Sequence, residues 1–172
     1  DAILAAGLVA HVGFAQDGEV PVAGKVYVPP ADCHLRVEGG CLRLDHGDPV
    51  CAQRPSGTVL FRSMARSLGP RALGVLLTGM GEDGAEGMGE VKAAGGVTIA
   101  QSEDSCVVYG MPRAAIERGY AQRVVPLEGL AHILHVQCAV AERPIPALAS
   151  PATASLRSRS RGRQGGAPRP RL

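Results

Sequence analysis

No apolar run in these 172 residues reaches the length that crosses a membrane, because Gly, Pro or charge interrupts each one, and no basic segment precedes an apolar one in the manner of a secretory signal. A cytoplasmic protein without membrane insertion is expected. Cysteine is sparse and unpatterned. The five, at positions 33, 41, 51, 106 and 138, form no C-x-x-C pair, and an odd number at irregular spacing argues for reduced thiols rather than a disulfide framework. Cys33, His34, Cys41, His46 and Cys51 crowd into nineteen positions, but their spacing matches no zinc knuckle, so no metal is expected. Acidic residues are missing after Glu142. Residues 143–172 hold seven Arg and no Asp or Glu, which leaves eleven basic against sixteen acidic residues in 1–142, a net of −5 inside a whole-chain charge of +2. That terminal stretch is rich in Pro, Ala, Ser, Gly and Arg with almost nothing large to bury, so a disordered tail is expected over 143–172 and a folded body over 1–142. An Arg run can neutralise the phosphates of RNA, DNA or anionic lipid, yet that attraction is independent of sequence, and a solvated tail accounts for it as well. Nucleic acid is not expected as a partner. An initial Met is missing too, the chain opening on Asp1, and a piece of a longer polypeptide is expected.

What is present reads as one modest core, 45% of the residues being hydrophobic. "GKVYVPP" alternates like a strand, and "HLRVEGGCLRL" sets Leu35 and Val37 against Leu42 and Leu44 across Gly39-Gly40, the pattern of a hairpin. Residues 24–44 are therefore expected to form a small antiparallel excursion. The period then changes. Leu60, Met64 and Leu68 stand four apart between Ser56, a candidate N-cap, and Gly69-Pro70, a stop, which predicts an amphipathic helix. "ALGVLLT" is continuously apolar and predicts a strand buried on both faces. A helix over 85–94, the strand "VTIAQ", a helix between Pro112 and Gly119, the strand "RVVPL" and the helix "EGLAHILHV" complete an alternation. The pattern predicts an α/β fold, a doubly wound, mostly parallel sheet with an inserted antiparallel hairpin.

In that scheme Gly79-Met80-Gly81-Glu82-Asp83-Gly84 joins the carboxyl end of a buried parallel strand to the amino end of a helix, where open α/β sheets place their ligands and reacting groups. The spelling is G-x-G-x-x-G, and Glu103 and Asp104 follow the next strand at the distance of a ribose-binding acid. Glu82 and Asp83, however, put two carboxylates where a pyrophosphate would need empty donors, and they would repel it while supplying the helix terminus with an anion. A simpler structural role for Asp83 is an N-cap. A third possibility is a catalytic acid like that of Ser-His-Asp hydrolases, which orients a histidine and stabilises its imidazolium without touching substrate. The glycines around Asp83 suit a tight turn that leaves room for another chain segment.

"LLTGMGEDGAEGM", "GGVTIAQSEDSCVVYGMPRAAIERG" and "AQDGEVPVAGKVYVPPADCHL" together resemble the catalytic domain of bacterial chemotaxis protein-glutamate methylesterases, the CheB-type family. The resemblance runs from about Asp17 to about Leu134, with three motifs in order. It implies a cofactor-free serine hydrolase that removes methyl groups from glutamate side chains of methyl-accepting chemotaxis receptors, releasing methanol, and often deamidates glutamines there. It also implies that Asp83 is the triad aspartate, and that Met80, with Gly81, lies in the substrate and oxyanion region. The family's nucleophilic serine, in a Gly-rich turn, and its triad histidine belong to earlier strands, and no G-x-S-x-G turn occurs in this chain. Ser56, Ser63, Ser67, Ser102 and Ser105 lack that setting. His11 is the sole histidine near the absent segment and reads as a helix-face residue in "ILAAGLVAHVGF". Gln53 and Thr58 stand where the family usually shows histidine and aspartate, and its receiver domain is also absent. This chain alone is therefore expected to be inactive, contributing the aspartate of a triad; the alternative is an inactive remnant or a binding module whose basic tail holds an anion.

Overall fold

Alternation of apolar residues at period two, then at period 3.6, lays out the elements of the computed structural model, which describes residues 11–140. The expected tail over 143–172 and the first ten residues lie outside the described residues. Two short strands come first, β1 (His11–Phe14) and β2 (Lys25–Val28), paired in parallel with His11 beside Lys25 and Phe14 beside Val28. His11 thus opens a strand rather than lying on a helix face. Its reading as helical fails because "HVGF" carries β-branched and aromatic residues around a glycine, a composition that favours pleated backbone. A second correction concerns β2, which belongs to this parallel pair rather than to the antiparallel excursion. Alternation identifies a strand without naming its partner.

The hairpin itself forms as expected. β3 (His34–Glu38) and β4 (Cys41–Asp45) pair antiparallel, Leu35 opposite Leu44 and Val37 opposite Leu42, across a turn where Gly39 and Gly40 take φ of 59° and 82°. Helix α1 (Gly57–Leu68) comes next, its Ser56 N-cap accepting the Val59 N–H at 3.4 Å. Two of its faces are covered. Leu60, Met64 and Leu68 pack on the hairpin residues Leu35, Val37 and Leu42, while Phe61 and Ala65 enter the main core with Leu76, Met88 and Val91. α1 is the layer between hairpin and sheet.

β5 (Leu73–Leu76), β6 (Val97–Gln101) and β7 (Arg123–Val125) form a parallel sheet in that order, joined through α2 (Ala85–Ala93) and α3 (Met111–Glu117), with α4 (Leu127–Val140) after β7. The α/β class with a parallel sheet and an antiparallel strand pair is as expected. One face of the sheet carries Gly74 and Leu76 toward α1 and α2: a Cβ at Gly74 would touch Phe61 and Val91. Ile99 and Gln101, of opposite parity on β6, are buried as well. The burial of β5 departs from expectation, since Gly74 and Leu76 are buried while Leu73 and Val75 are half-buried. Met88 and Val91 have no exposure, and burying side chains of this size stabilises by about 1.5–3 kcal/mol each. This anchors the helix on the far side of the glycine loop. Among the described residues no helix is long and apolar enough to cross a membrane.

Candidate active site

Two glycine-containing loops meet at the carboxyl ends of β5 and β6. Gly79 donates its N–H to Val108 O at 3.0 Å and accepts at its own carbonyl from Gly110 N (3.0 Å) and Met111 N (2.9 Å). Side chains are excluded from this contact by distance. A Cβ on Gly79 would lie 2.3 Å from Met111 Sδ, and one on Gly110 would lie 2.7 Å from Gly79 O. Buried Gln101 ties the loops from beneath, its Oε1 accepting Thr78 N–H at 2.8 Å and its Nε2 donating to Ser105 O at 2.7 Å. The turn is thereby held rigidly enough to present Asp83.

Asp83 is 7% exposed, and its carboxylate faces α1 rather than the helix that it precedes. Oδ1 accepts the Ser56 hydroxyl at 2.6 Å and Thr58 N–H at 3.1 Å; Oδ2 accepts Gly57 N–H at 2.7 Å. Thr58 Oγ1 reciprocates by accepting Gly84 N–H at 2.7 Å. Burial pushes the Asp83 carboxyl up, but the Ser56 hydroxyl and the Gly57 and Thr58 donors outweigh it and hold the group below the usual carboxylate range. Asp83 is therefore an ionised, immobilised carboxylate at neutral pH.

This geometry corrects the view of Asp83 as the cap and anion of its own helix. The N-cap of α2 is Gly84, in the left-handed region at φ 87° and without a side-chain cap, and a Cβ there would lie 2.6 Å from Leu76 Cδ1. The anion of the loop serves the amino end of α1 instead. The nucleotide reading loses its donors, because Gly84 N–H is committed to Thr58 and Ala85 N–H to Glu82 O at 3.1 Å. Glu82 is exposed and pairs with Arg118, away from Asp83.

Met80 is 86% exposed three positions before Asp83, and Gly81 has φ 84° with open space where a Cβ would stand. The structure thus brings Met80, Gly81 and Asp83 onto one loop, with Asp83 inside and Met80 outside. Thr58, 2% exposed, lies against Asp83 through its N–H, whereas Gln53 is exposed in a bridge with Val50.

Sequence reasoning missed His34. Its ring, 1% exposed, accepts Ser56 N–H at Nδ1 (3.2 Å) and donates from Nε2 to Asp48 O (3.1 Å). Ser, His and Asp are thus linked, but the hydroxyl points at the carboxylate and the imidazole meets Ser56 only at its backbone N–H, so His34 does not serve as a base for Ser56. His34 entered the sequence reading only through the cysteine cluster. There Cys33 Sγ lies 3.5 Å from His46 Nδ1, Cys41 sits at the hairpin turn and Cys51 is exposed. Among the described residues no three His, Cys, Asp or Glu side chains are grouped to hold a metal ion.

Comparison with known proteins gives a consistent result. The model of the CheB methylesterase family matches residues 1–134. A protein-glutamate methylesterase/protein-glutamine glutaminase of Koribacter versatilis is 46% identical over 140 residues, 79% of this chain and 39% of that protein. One from Paramagnetospirillum magneticum is 51% identical over 118 residues, 69% of this chain and 34% of that protein. The chain thus spans roughly a third to two fifths of the length of these curated relatives. Among solved structures, the CheB methylesterase catalytic domain of Thermotoga maritima matches with a TM-score of 0.65 and 36% identity, covering 73% of this chain and 67% of that one.

Proposed function

The chain belongs to the CheB methylesterase family, and on that premise we propose that its polypeptide hydrolyses glutamate methyl esters on methyl-accepting chemotaxis receptors in the cytoplasm, with Asp83 as the acid of a Ser-His-Asp triad. The observation that carries this reading is the buried Asp83 carboxylate, ionised and fixed by three donors at a strand-to-helix loop. A carboxylate so held accepts the Nδ1–H of a histidine, selects the tautomer with a free Nε2, and stabilises the imidazolium that forms. That histidine takes the proton of a serine hydroxyl as its oxygen attacks the ester carbonyl, and returns it to the departing methanol. Water then cleaves the acyl-enzyme by the same route and leaves a free glutamate. An amide in place of the ester gives deamidation, with ammonia leaving instead.

In this proposal the serine and histidine are supplied by sequence corresponding to the share of the relatives that this chain does not match, since it covers 39% and 34% of them. Met80 and Gly81, on the exposed side of the loop, border the substrate and the developing oxyanion. The reaction needs neither metal nor cofactor. A fusion that places the unmatched share of the Koribacter versatilis relative upstream of this chain tests the reading. It should release methanol from methylated receptor, while the 172 residues alone should not exceed background. Methanol release by the 172 residues alone would refute the assignment of Asp83 to an incomplete triad.

A second reading, in which Asp83 only caps α1, is favoured by the same three hydrogen bonds. It differs by leaving the Asp83 position without effect on turnover beyond its effect on folding.

A further inference from the structure

We propose that Ser56 is a positioning residue for the esterase reaction, its hydroxyl orienting the Asp83 carboxylate so that the Oδ2 lone-pair position left open among the described residues faces the reacting histidine. The proposal rests on the reading of Asp83 given above. A carboxylate turns about a broad terminal torsion, so its plane is set by its hydrogen bonds rather than by a rotamer well. Two of the three donors to Asp83 are adjacent backbone amides of one helix terminus, Gly57 N on Oδ2 and Thr58 N on Oδ1. The Ser56 hydroxyl is the third point that fixes the plane, at 2.6 Å.

Ser56 is itself held at both ends. Its N–H is anchored on the His34 ring at 3.2 Å, and that ring is anchored on Asp48 O at 3.1 Å, so hairpin, helix and catalytic loop are joined through this one residue. A residue whose task was only to cap α1 would use its hydroxyl chiefly as an acceptor. Here the accepted bond, from Val59 N, is long at 3.4 Å, and the donated bond to Asp83 is the short one. Ser56 is 3% exposed, so neither water nor substrate competes for the hydroxyl. It does not touch the reacting atoms and acts through Asp83.

The fusion described above is the vehicle for the test. Ser56→Ala should lower kcat about ten- to a hundredfold, the rate equivalent of one hydrogen bond to a charged group, with KM within about twofold, and Ser56→Thr should recover most of the loss. Ser56→Gly, which a helix start tolerates better than Ala, replaces Ser56→Ala if that variant does not fold. A second readout is independent of turnover: the Asp83 carboxyl carbon, followed by NMR in the fusion, should titrate at higher pH in the variant lacking the hydroxyl and return with Ser56→Thr. A folded variant with kcat within about twofold of the parent, or an unmoved Asp83 titration, overturns the proposal. An unsubstituted fusion that releases no methanol overturns the methylesterase reading instead, and the titration still decides what Ser56 does.

Discussion

The Asp83 carboxylate offers about four lone-pair positions, of which Ser56, Gly57 and Thr58 fill three. Asp83→Asn keeps the shape but places an NH2 group against one of these donors whichever way the amide is turned. Loss of a bond to a buried charged group predicts destabilisation of about 1–3 kcal/mol at pH 7, read by urea unfolding. The pH dependence has a definite sign. Burial raises the folded-state value and the three donors more than offset it, so Asp83 titrates below its unfolded value of about 3.9. Its contribution is complete above roughly pH 4 and is lost as the pH falls through the folded-state value. The stability gap between the parent and Asp83→Asn should therefore narrow in acid. A gap that stayed constant from pH 7 to well below pH 4 would mean that Asp83 is not held ionised by these bonds.

At the scale of the element, α1 and α2 meet at Gly87. A Cβ there would lie 2.7 Å from Thr58 O and 2.8 Å from Phe61 Cβ, neither of which is a flexible side-chain end. Replacing Gly by Ala inside a helix gains about 1 kcal/mol of propensity, but forcing the two helices apart costs about 1–3 kcal/mol or more. Gly87→Ala should be destabilising by up to about 2 kcal/mol, lowering Tm in the completed fusion, and a rise in Tm would show the helix contact to be loose. Helix boundaries such as Ser56 and Gly69-Pro70 were readable because capping chemistry is local, as was the hairpin turn at Gly39-Gly40. The partner of β2 was not readable, since "KVYV" alternates identically beside a parallel or an antiparallel neighbour. The site was half readable for the same reason. The loop placed Asp83, but its partner Ser56 stands 27 residues earlier, and only the packing of α1 on α2 brings them together.

Across the whole molecule, the described sheet has β5 at one edge, paired with β6 alone, and β5 carries half-buried Leu73 and Val75. Val12 and Phe14 on β1 are 53% and 68% exposed. Unpaired apolar strands invite pairing with another chain, so the 172 residues by themselves should be marginally stable or self-associating. Sedimentation that showed a dilute monomer with a sharp, cooperative melt would count against this. The central claim is the proposal that Asp83 acts as the acid of a Ser-His-Asp triad, and the fusion supplies the serine and histidine that this role requires. Turnover in the completed fusion, measured as methanol released from methylated receptor, is therefore the most direct test of the central claim. Asp83→Asn, with its fold confirmed by circular dichroism, should reduce kcat by several orders of magnitude, about 10⁴ by the precedent of a triad whose amide favours the wrong histidine tautomer. Glu82→Gln, whose side chain pairs with Arg118 on the surface, should change it little. Equally mild effects of the two substitutions would contradict the account and leave Asp83 as the cap of α1.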